Sequence, residues 1–452
     1  MRTLIETPLI LSCHRRARMT LEIEYARPCE IKPDPGNARV HPKAQVKQIA
    51  DSIQLNGFVN PLLVDEDNVL IAGHGRLLAA KSLDLPSVPY IRLLGLSEAQ
   101  KRVLRIADNR IALGAGWDFD LLKVELDTIA SLDVSIDLTL TGFSFPEIDR
   151  ILSEGDTSDP ADDEVPRHQD VAVSKVGDIW SLGDHRVGCG DCSDEAFVDA
   201  VMDGRTADAA FVDPPYNIKI SGNAVGKGRH REFVMASGEL GDDEFARLLK
   251  TWCASIARVS REGAVHFVCM DHRHMEELLA AGREVYGARL NICVWNKSNA
   301  GMGSLYRSKH EMVAVFRVGE APHYNAVELG KNGRNRTNVW DYASVNSRRG
   351  SRRHDLDLHP TVKPAAMVTD AIRDVTRRSD LVIDTFLGSG TTLIACERTG
   401  RRFCGMDLDP TYVDVAVRRW ISMTGGKAVL AATSEDFEAK ARTLATRHGE
   451  AA

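Results

Sequence analysis

No apolar run in the 452-residue chain approaches the ~20 residues of a membrane span, which argues against a transmembrane protein. A secretory leader is not expected either, because the apolar run TPLILS at 7–12 is too short for a signal core and Arg15, Arg16 and Arg18 follow it rather than precede it. Positive charge is not in excess: 57 Lys and Arg against 64 Asp and Glu leave a net charge of −7, which argues against a uniformly basic nucleic-acid coat and leaves room only for a local patch. The nine cysteines lack the regular spacing of a disulfide framework, which predicts reduced thiols in a cytoplasm. Residues 1–20 are expected to be poorly ordered, with Met19 as a second candidate start.

What is present is enough chain for two or three domains, at roughly 150 residues each. From residue 21 to 117, short apolar strands alternate with amphipathic helices, including a helix near 42–56 with Val46, Ile49 and Ile53 on one stripe, which predicts a compact α+β domain. Residues 118–152 read as a helical extension. The stretch SEGDTSDPADDEVPRHQD that follows has seven acids, one arginine and no apolar periodicity, so 153–172 is expected to be an acidic linker between independently folding halves. Beyond it, strands and helices alternate to about 437, the pattern of a parallel α/β sheet, and 438–452 reads as a tail.

Within the second half, LVIDTFLGSGTTLIACERTGRRFCGMDLDP at 381–410 carries a βαβ signature: a buried strand, a loop with Gly388 and Gly390, a helix from Thr391, and a second strand ending in Asp407. Glycines let a ligand approach the backbone, and an acid at the tip of the second strand can accept ribose hydroxyls. A phosphate-cradling P-loop would need Lys where Thr391 stands, and a dinucleotide fingerprint would want a small residue where Leu393 stands. With Asp384 and Phe386 ahead of the glycines, the loop suits a cationic nucleoside without phosphates; a tight turn in an ordinary α/β domain is the plain alternative. The second conspicuous stretch is FVDPPYN at 211–217, where a buried strand halts in an acid, two prolines and an aromatic ring.

DPPYN at 213–217, DTFLGSGTT at 384–392 and HPTVKP at 359–364 together resemble the amino-group DNA methyltransferases, and the catalytic motif precedes the cofactor motif as in their permuted β group. The resemblance covers about 175–435 and extends to GDC at 190–192, VWNKSNAGMGS at 294–304 and HEMVAVF at 310–316. It implies a Rossmann-like, S-adenosylmethionine-dependent fold and transfer of methyl to the exocyclic amino group of a flipped base in duplex DNA. Adenine N6 is favoured because the motif begins with Asp213. Cytosine N4 methylation, or a nucleotide-dependent DNA-binding regulator with a degenerate methylase half, are the alternatives.

By that resemblance Asp213 and the Pro214 carbonyl accept the amine hydrogens, Pro215 stiffens the loop and Tyr216 stacks on the base. Asp191 would meet the cofactor's adenine, Asp384 its amino acid end, Asp407 the ribose, and Thr361 or Lys363 the region near the carboxylate, with Phe386, Gly388, Gly390 and Thr391 of the glycine loop completing the cofactor site. Between Lys297 and Arg353 eleven basic residues face four acids, a local excess suited to phosphate contacts in a target-recognition region near 297–356. The DNA contacts expected are Lys297, Arg307, Lys309, Arg334, Arg336, Arg348 and Arg349, with Asn217 bracing the catalytic loop beside the DNA. No metal is expected: Cys189 and Cys192 have no second pair, and the spacing of His266, Cys269, His272 and His274 reads as chance.

The first domain has its own resemblance. NARVHP at 37–42, IADSIQLNGFVNPLLV at 49–64, IAGHGRLLAAKSL at 71–83 and IADNR at 106–110 look like the ParB N-terminal fold shared with sulfiredoxin. That implies a nucleotide or DNA partner, with His74 and Arg76 either holding phosphate or bracing the loop. GHGR stands in place of the GERR-type loop, and the paired-helix DNA-reading domain of partition proteins is not evident. A homodimer is left open as the assembly.

Overall fold

The computed structural model describes residues 21–133, 136–153, 160–166, 169, 171–218, 236, 238–300, 305–330, 334–344 and 362–449. Residues 1–20 therefore lie outside the described residues, as do Arg348, Arg349 and Thr361. The chain divides into two compact units, Met1–Leu152 and Ser153–Ala452.

In the first unit β1 (Ile23–Ala26), α1 (Lys43–Asn56), β2 (Leu62–Val64), β3 (Leu70–Ala72), α2 (His74–Ser82), β4 (Val88–Arg92) and α3 (Glu98–Ile111) build a small α+β body whose sheet runs β1-β4-β2-β3. Leu62, Val64, Leu70 and Val88 are fully buried against Leu77 and Ala80 of α2. Two further helices, α4 (Phe119–Leu132) and α5 (Phe145–Ser153), join through Leu126, Ile148, Ile151 and Leu152. Asp118 caps α4 by accepting from the Leu121 amide, the short-polar N-cap that the sequence offers there.

The second unit continues with β5 (Ile179–Leu182), β6 (His185–Cys189), α6 (Glu195–Met202), β7 (Ala207–Val212), α7 (Asp242–Arg258), β8 (Ser260–Met270), α8 (Met275–Val285), β9 (Ala288–Asn296), β10 (His310–Arg317), β11 (Val339–Asp341), α9 (Ala365–Val375), β12 (Leu381–Asp384), α10 (Thr391–Thr399), β13 (Arg402–Asp407), α11 (Pro410–Thr424), β14 (Ala428–Leu430) and α12 (Phe437–Gly449). Its ten strands form one sheet in the order β11-β9-β10-β8-β7-β12-β13-β6-β5-β14. The centre, β8-β7-β12-β13-β6, is parallel throughout, and β10 lies antiparallel between β8 and β9. Strands buried on both faces need apolar residues on both, and β7 supplies them: Ala209 and Phe211 enter the core on one side, Ala210 and Val212 the other. Because β6, β7, β12 and β13 run the same way, all four carboxyl ends reach one edge of the sheet, where ligands of open α/β sheets bind.

Two segments differ from the expected organisation. Within the acidic linker, Pro160–Asp163 form a short 3₁₀ turn packed onto the second unit. The Asp162 side chain is buried and accepts from Arg398 Nε at 2.9 Å and Nη2 at 2.7 Å, its carbonyl accepts from Arg419, and Asp163 Oδ1 accepts from the Ala365 amide at 2.9 Å. Asp162 and Asp163 are therefore not part of a solvated run; they meet arginines and a helix start that lie more than 200 positions later. The C-terminal tail is likewise helical through α12, whose Phe437 is buried edge-on against Trp180 at 5.0 Å.

Candidate active site

The four acids expected at the strand ends stand where the parallel register carries them. Asp384 closes β12 beside Gly405 of β13, Asp407 closes β13 beside Cys189 of β6, Asp191 follows two residues after β6, and Asp213 is the first residue beyond β7. Between β12 and α10 the chain turns through Gly388 at φ +50° and Gly390 at φ +81°. A Cβ on Gly390 would lie 2.7 Å from the Ala416 Cβ, so both the left-handed backbone and the close pass of α11 demand glycine. The Gly388 amide donates to Asp407 Oδ2 at 2.9 Å and the Asp409 amide to Oδ1 at 2.9 Å, while Asp384 accepts from the Phe386 amide and the Thr392 hydroxyl. Burial pushes the Asp384 carboxyl up to about 7 and Asp407 up to about 6, the latter against the pull of its two amide donors. Asp191 accepts from the Ser193 amide, and Phe386 packs edge-on against Trp252 at 4.8 Å.

The strand halts at DPPYN for a reason that the backbone makes visible. Pro214 and Pro215 offer no N–H to a ladder, so β7 ends at Val212. Asn217 then sits at φ +54°, its side chain accepting from the Gly238 and Leu240 amides and donating to the Leu240 carbonyl. It is 8% exposed and turned into the loop as a brace, away from the DNA contact expected of it. Tyr216 is half-buried and its hydroxyl donates to Asp213 Oδ1 at 2.5 Å.

Lys363, expected near the cofactor's carboxylate, reaches the catalytic loop. Its Nζ donates to Asp213 Oδ2 at 2.5 Å and to the Tyr216 oxygen at 3.2 Å, and pairs with Glu311 Oε2 at 3.0 Å. Glu311 in turn binds Lys297, which lies over the Trp295 ring at 4.8 Å. Burial drives the Glu311 carboxyl upward, but the two lysines outweigh it and hold the group down to about 2; burial opposes the Lys363 charge, and Asp213 and Glu311 restore it. Glu311 went unassigned in the sequence although a signal existed: in HEMVAVF it shares a strand face with buried Val313 and Val315, and a carboxylate in that register requires a partner.

The basic window is also smaller than its count. Arg334 Nη2 binds Asp374 at 2.6 Å and Asp370 at 3.3 Å, and Arg336 binds Asp374 at 3.1 Å, Asp370 at 3.2 Å and the Tyr342 hydroxyl at 2.7 Å. Those two arginines fasten the strand that follows to α9 and are not available to phosphate, and Lys297 is taken by Glu311. Arg307 and Lys309 are exposed. Of the metal-like spacing, His266 bonds Tyr286 and Ser260 inside the core, Cys269 is buried, His272 is exposed beside Asp271, and His274 gathers with Asp242 and Glu277, their ligand atoms within 4.8 Å of one another. Among the described residues every cysteine is free and no helix is long and apolar enough to cross a membrane.

In the first unit, a recess at the start of α2 is lined by Arg39, His41, Gly73, His74, Arg76 and Asn109. Gly73 at φ +100° begins the helix, and burial pulls down the basicity of both His74 and Arg76. Helix amides and a guanidinium facing one recess suit an anion.

Comparison with known proteins matches residues 207–418 to a DNA methylase family and residues 120–176 to a ParB-methyltransferase helix-turn-helix domain. Over 82 residues the chain is 46% identical to the ParB-like nuclease domain-containing protein YnaK of Escherichia coli K12, covering 18% of this chain and 94% of that one. The chain thus joins a ParB-like domain to an N6/N4 DNA methylase domain. Over 244 residues it is 25% identical to the type II methyltransferase M2.MboI of Moraxella bovis, covering 52% of this chain and 87% of that one. The crystal structure of the M1.HpyAVI–SAM complex is 21% identical, with a TM-score of 0.39, covering 52% of this chain and 97% of that one. The helix-turn-helix match corrects the sequence reading that found no paired-helix domain: α4 and α5 fall inside it, and their short helices had been read only as an extension. The methyl donor of this family is S-adenosylmethionine, and the residues present fit it: a glycine turn that admits no side chain and two buried acids at adjacent strand ends.

Proposed function

We propose that the protein methylates the N6 amino group of adenine in duplex DNA, and the observation that carries this reading is the Asp213 carboxylate standing at the catalytic edge with Tyr216 tied to it. An exocyclic amine is a weak nucleophile because its lone pair is delocalised into the ring. Hydrogen-bond acceptors aimed at its N–H groups favour a more tetrahedral nitrogen with the lone pair available. Asp213 supplies one acceptor and the Pro214 carbonyl the other, with the prolines preventing the loop from relaxing. The base must leave the duplex to reach this edge, and the half-buried Tyr216 ring offers it a stacking face. S-adenosylmethionine, when bound, supplies an electrophilic methyl on a sulfonium sulfur. Asp407 accepts the ribose hydroxyls, Asp384 and the Gly388–Gly390 turn receive the amino acid end, and Asp191 faces the adenine. Adenine is preferred over cytosine because the loop begins with an anionic acceptor. Single-molecule sequencing of DNA from a host expressing the chain reads base and site together; methyl found on cytosine N4 alone would overturn the adenine assignment.

Cofactor binding carries a pH signature. With Asp407 raised to about 6 and Asp384 to about 7, both acids are partly protonated near neutrality in the free protein, whereas a ligand donating hydroxyl and ammonium hydrogens favours their carboxylates. Binding is therefore expected to release protons, and affinity to rise as pH climbs through that interval. For the free protein the sign reverses: raised carboxyls lower stability as pH passes above the ordinary carboxylate range. Asp407→Ala is expected to weaken binding by about 1.5–3 kcal/mol, the scale of a charged hydrogen bond, and to remove the lower step of the pH dependence. Calorimetry in buffers of different ionisation enthalpy measures both; unchanged affinity in the variant, or no proton release, would refute the assignment.

A further inference from the structure

Lys363 and Glu311 form a buried charge assembly that the reaction outlined above does not use. Lys363 is 5% exposed, and its ammonium has three hydrogens for three acceptors: Asp213 Oδ2, the Tyr216 oxygen and Glu311 Oε2. Glu311 answers with its other oxygen to Lys297, so two carboxylates and two ammoniums cancel within one cluster. An isolated buried ammonium is costly, and Lys363 is tolerated here only because two carboxylates face it. The elements involved are far apart in sequence: the end of β7, the start of β10 and the turn before α9.

We propose that Lys363, aligned by Glu311, is a positioning residue for methyl transfer: it grips one oxygen of Asp213 and fixes the carboxylate for the incoming amine. This rests on the assignment of Asp213 as the acceptor. Each carboxylate oxygen has two lone pairs, so Asp213 can keep Lys363 and Tyr216 and still accept an amine hydrogen. Tyr216 is held in the same act, since its hydroxyl touches Asp213 Oδ1 at 2.5 Å and Lys363 lies 5.5 Å from its ring centre. A lysine that remains charged is not a proton acceptor. Its effect is on the orientation of Asp213. Glu311 keeps the ammonium from swinging toward the glycine loop.

The alternative station for Lys363, against the cofactor's carboxylate, predicts a different kinetic pattern, which makes the test decisive. In the full-length chain, Lys363→Met is expected to lower kcat about 10²-fold, the scale of a misplaced catalytic group, while S-adenosylmethionine affinity by calorimetry stays within about twofold. A purely structural lysine would lower kcat and cofactor affinity together, so the split between the two is the decisive reading. Glu311→Gln, which keeps shape and leaves Lys363 on Asp213, should lower kcat by about tenfold with the same unchanged affinity, and serves if Lys363→Met fails to fold. A variant whose kcat recovers at saturating cofactor but whose affinity has collapsed would overturn the inference in favour of cofactor binding. Wild-type rates in both variants would overturn it alone, whereas a wild-type chain that methylates no DNA would sink the underlying reading instead.

Discussion

Asp213→Ala is expected to lose kcat by about 10²-fold or more while binding S-adenosylmethionine almost as the native chain does. The carboxylate's interaction strengthens as the amine turns nucleophilic, so its loss falls on the transition state and not on the cofactor complex. The cofactor acids at the ends of β12 and β13 are separate from it: Asp384 and Asp407 hold their own amide and hydroxyl donors. Truncation leaves Lys363 charged and buried, but it keeps Glu311 at 3.0 Å, so the fold retains a partner for it. Asp213→Asn, which preserves shape and replaces one acceptor with a donor, should be nearly as damaged in rate. Single-turnover kinetics on a duplex containing the methylated site, with calorimetry for the cofactor, separates the two effects. Near-normal turnover in either variant would remove Asp213 from the reaction.

Much of this site was legible because it rests on local chemistry that sequence carries. Glycines at 388 and 390, an acid at each parallel strand end and prolines that stop β7 are one-dimensional signals with three-dimensional consequences, and the sheet brings them to one edge. What escaped is the pairing between distant charges. A count over 297–353 scores Arg334 and Arg336 as free because their counter-charges, Asp370 and Asp374, lie outside the window on α9. Those two acids are four residues apart on one helix face, which is the trace such a site leaves in a sequence. The acidic linker fails in the mirror-image way: its acids looked solvated because Arg398 and Arg419 come so much later. Net charge over a window measures composition and not accessibility, and wherever a chain folds back on itself the two diverge.

That correction changes where the methylase half can be cut. A fragment beginning at Val171 keeps the Val173 and Ser174 amides on the Asp414 carboxylate but removes the 160–163 strap. Arg419, 4% exposed, then loses the Asp162 carbonyl, retaining Nη1 contacts to the Ser389 carbonyl at 2.9 Å and the Thr391 hydroxyl at 3.3 Å on the glycine loop. The α9 start loses Asp163, its acceptor for the Ala365 amide, directly after Lys363. A charged hydrogen bond is worth about 1.5–3 kcal/mol and a helix cap about 1 kcal/mol. For a unit of this size each kcal/mol shifts the midpoint by about 2–4 °C, so the shorter fragment should melt roughly 5–15 °C below one beginning at Ser153. Because the strap reaches the glycine loop through Arg419 and meets the start of α9 just after Lys363, the shorter fragment should also bind S-adenosylmethionine at least about tenfold more weakly, a loss of about 1.4 kcal/mol. The longer fragment should bind it as the full chain does. Arg419→Ala in the longer fragment separates the two contacts: it should reproduce the weaker cofactor binding with the α9 cap intact. Equal melting and equal affinity in the two fragments would make the strap a passive tether and restore the cut at Val171.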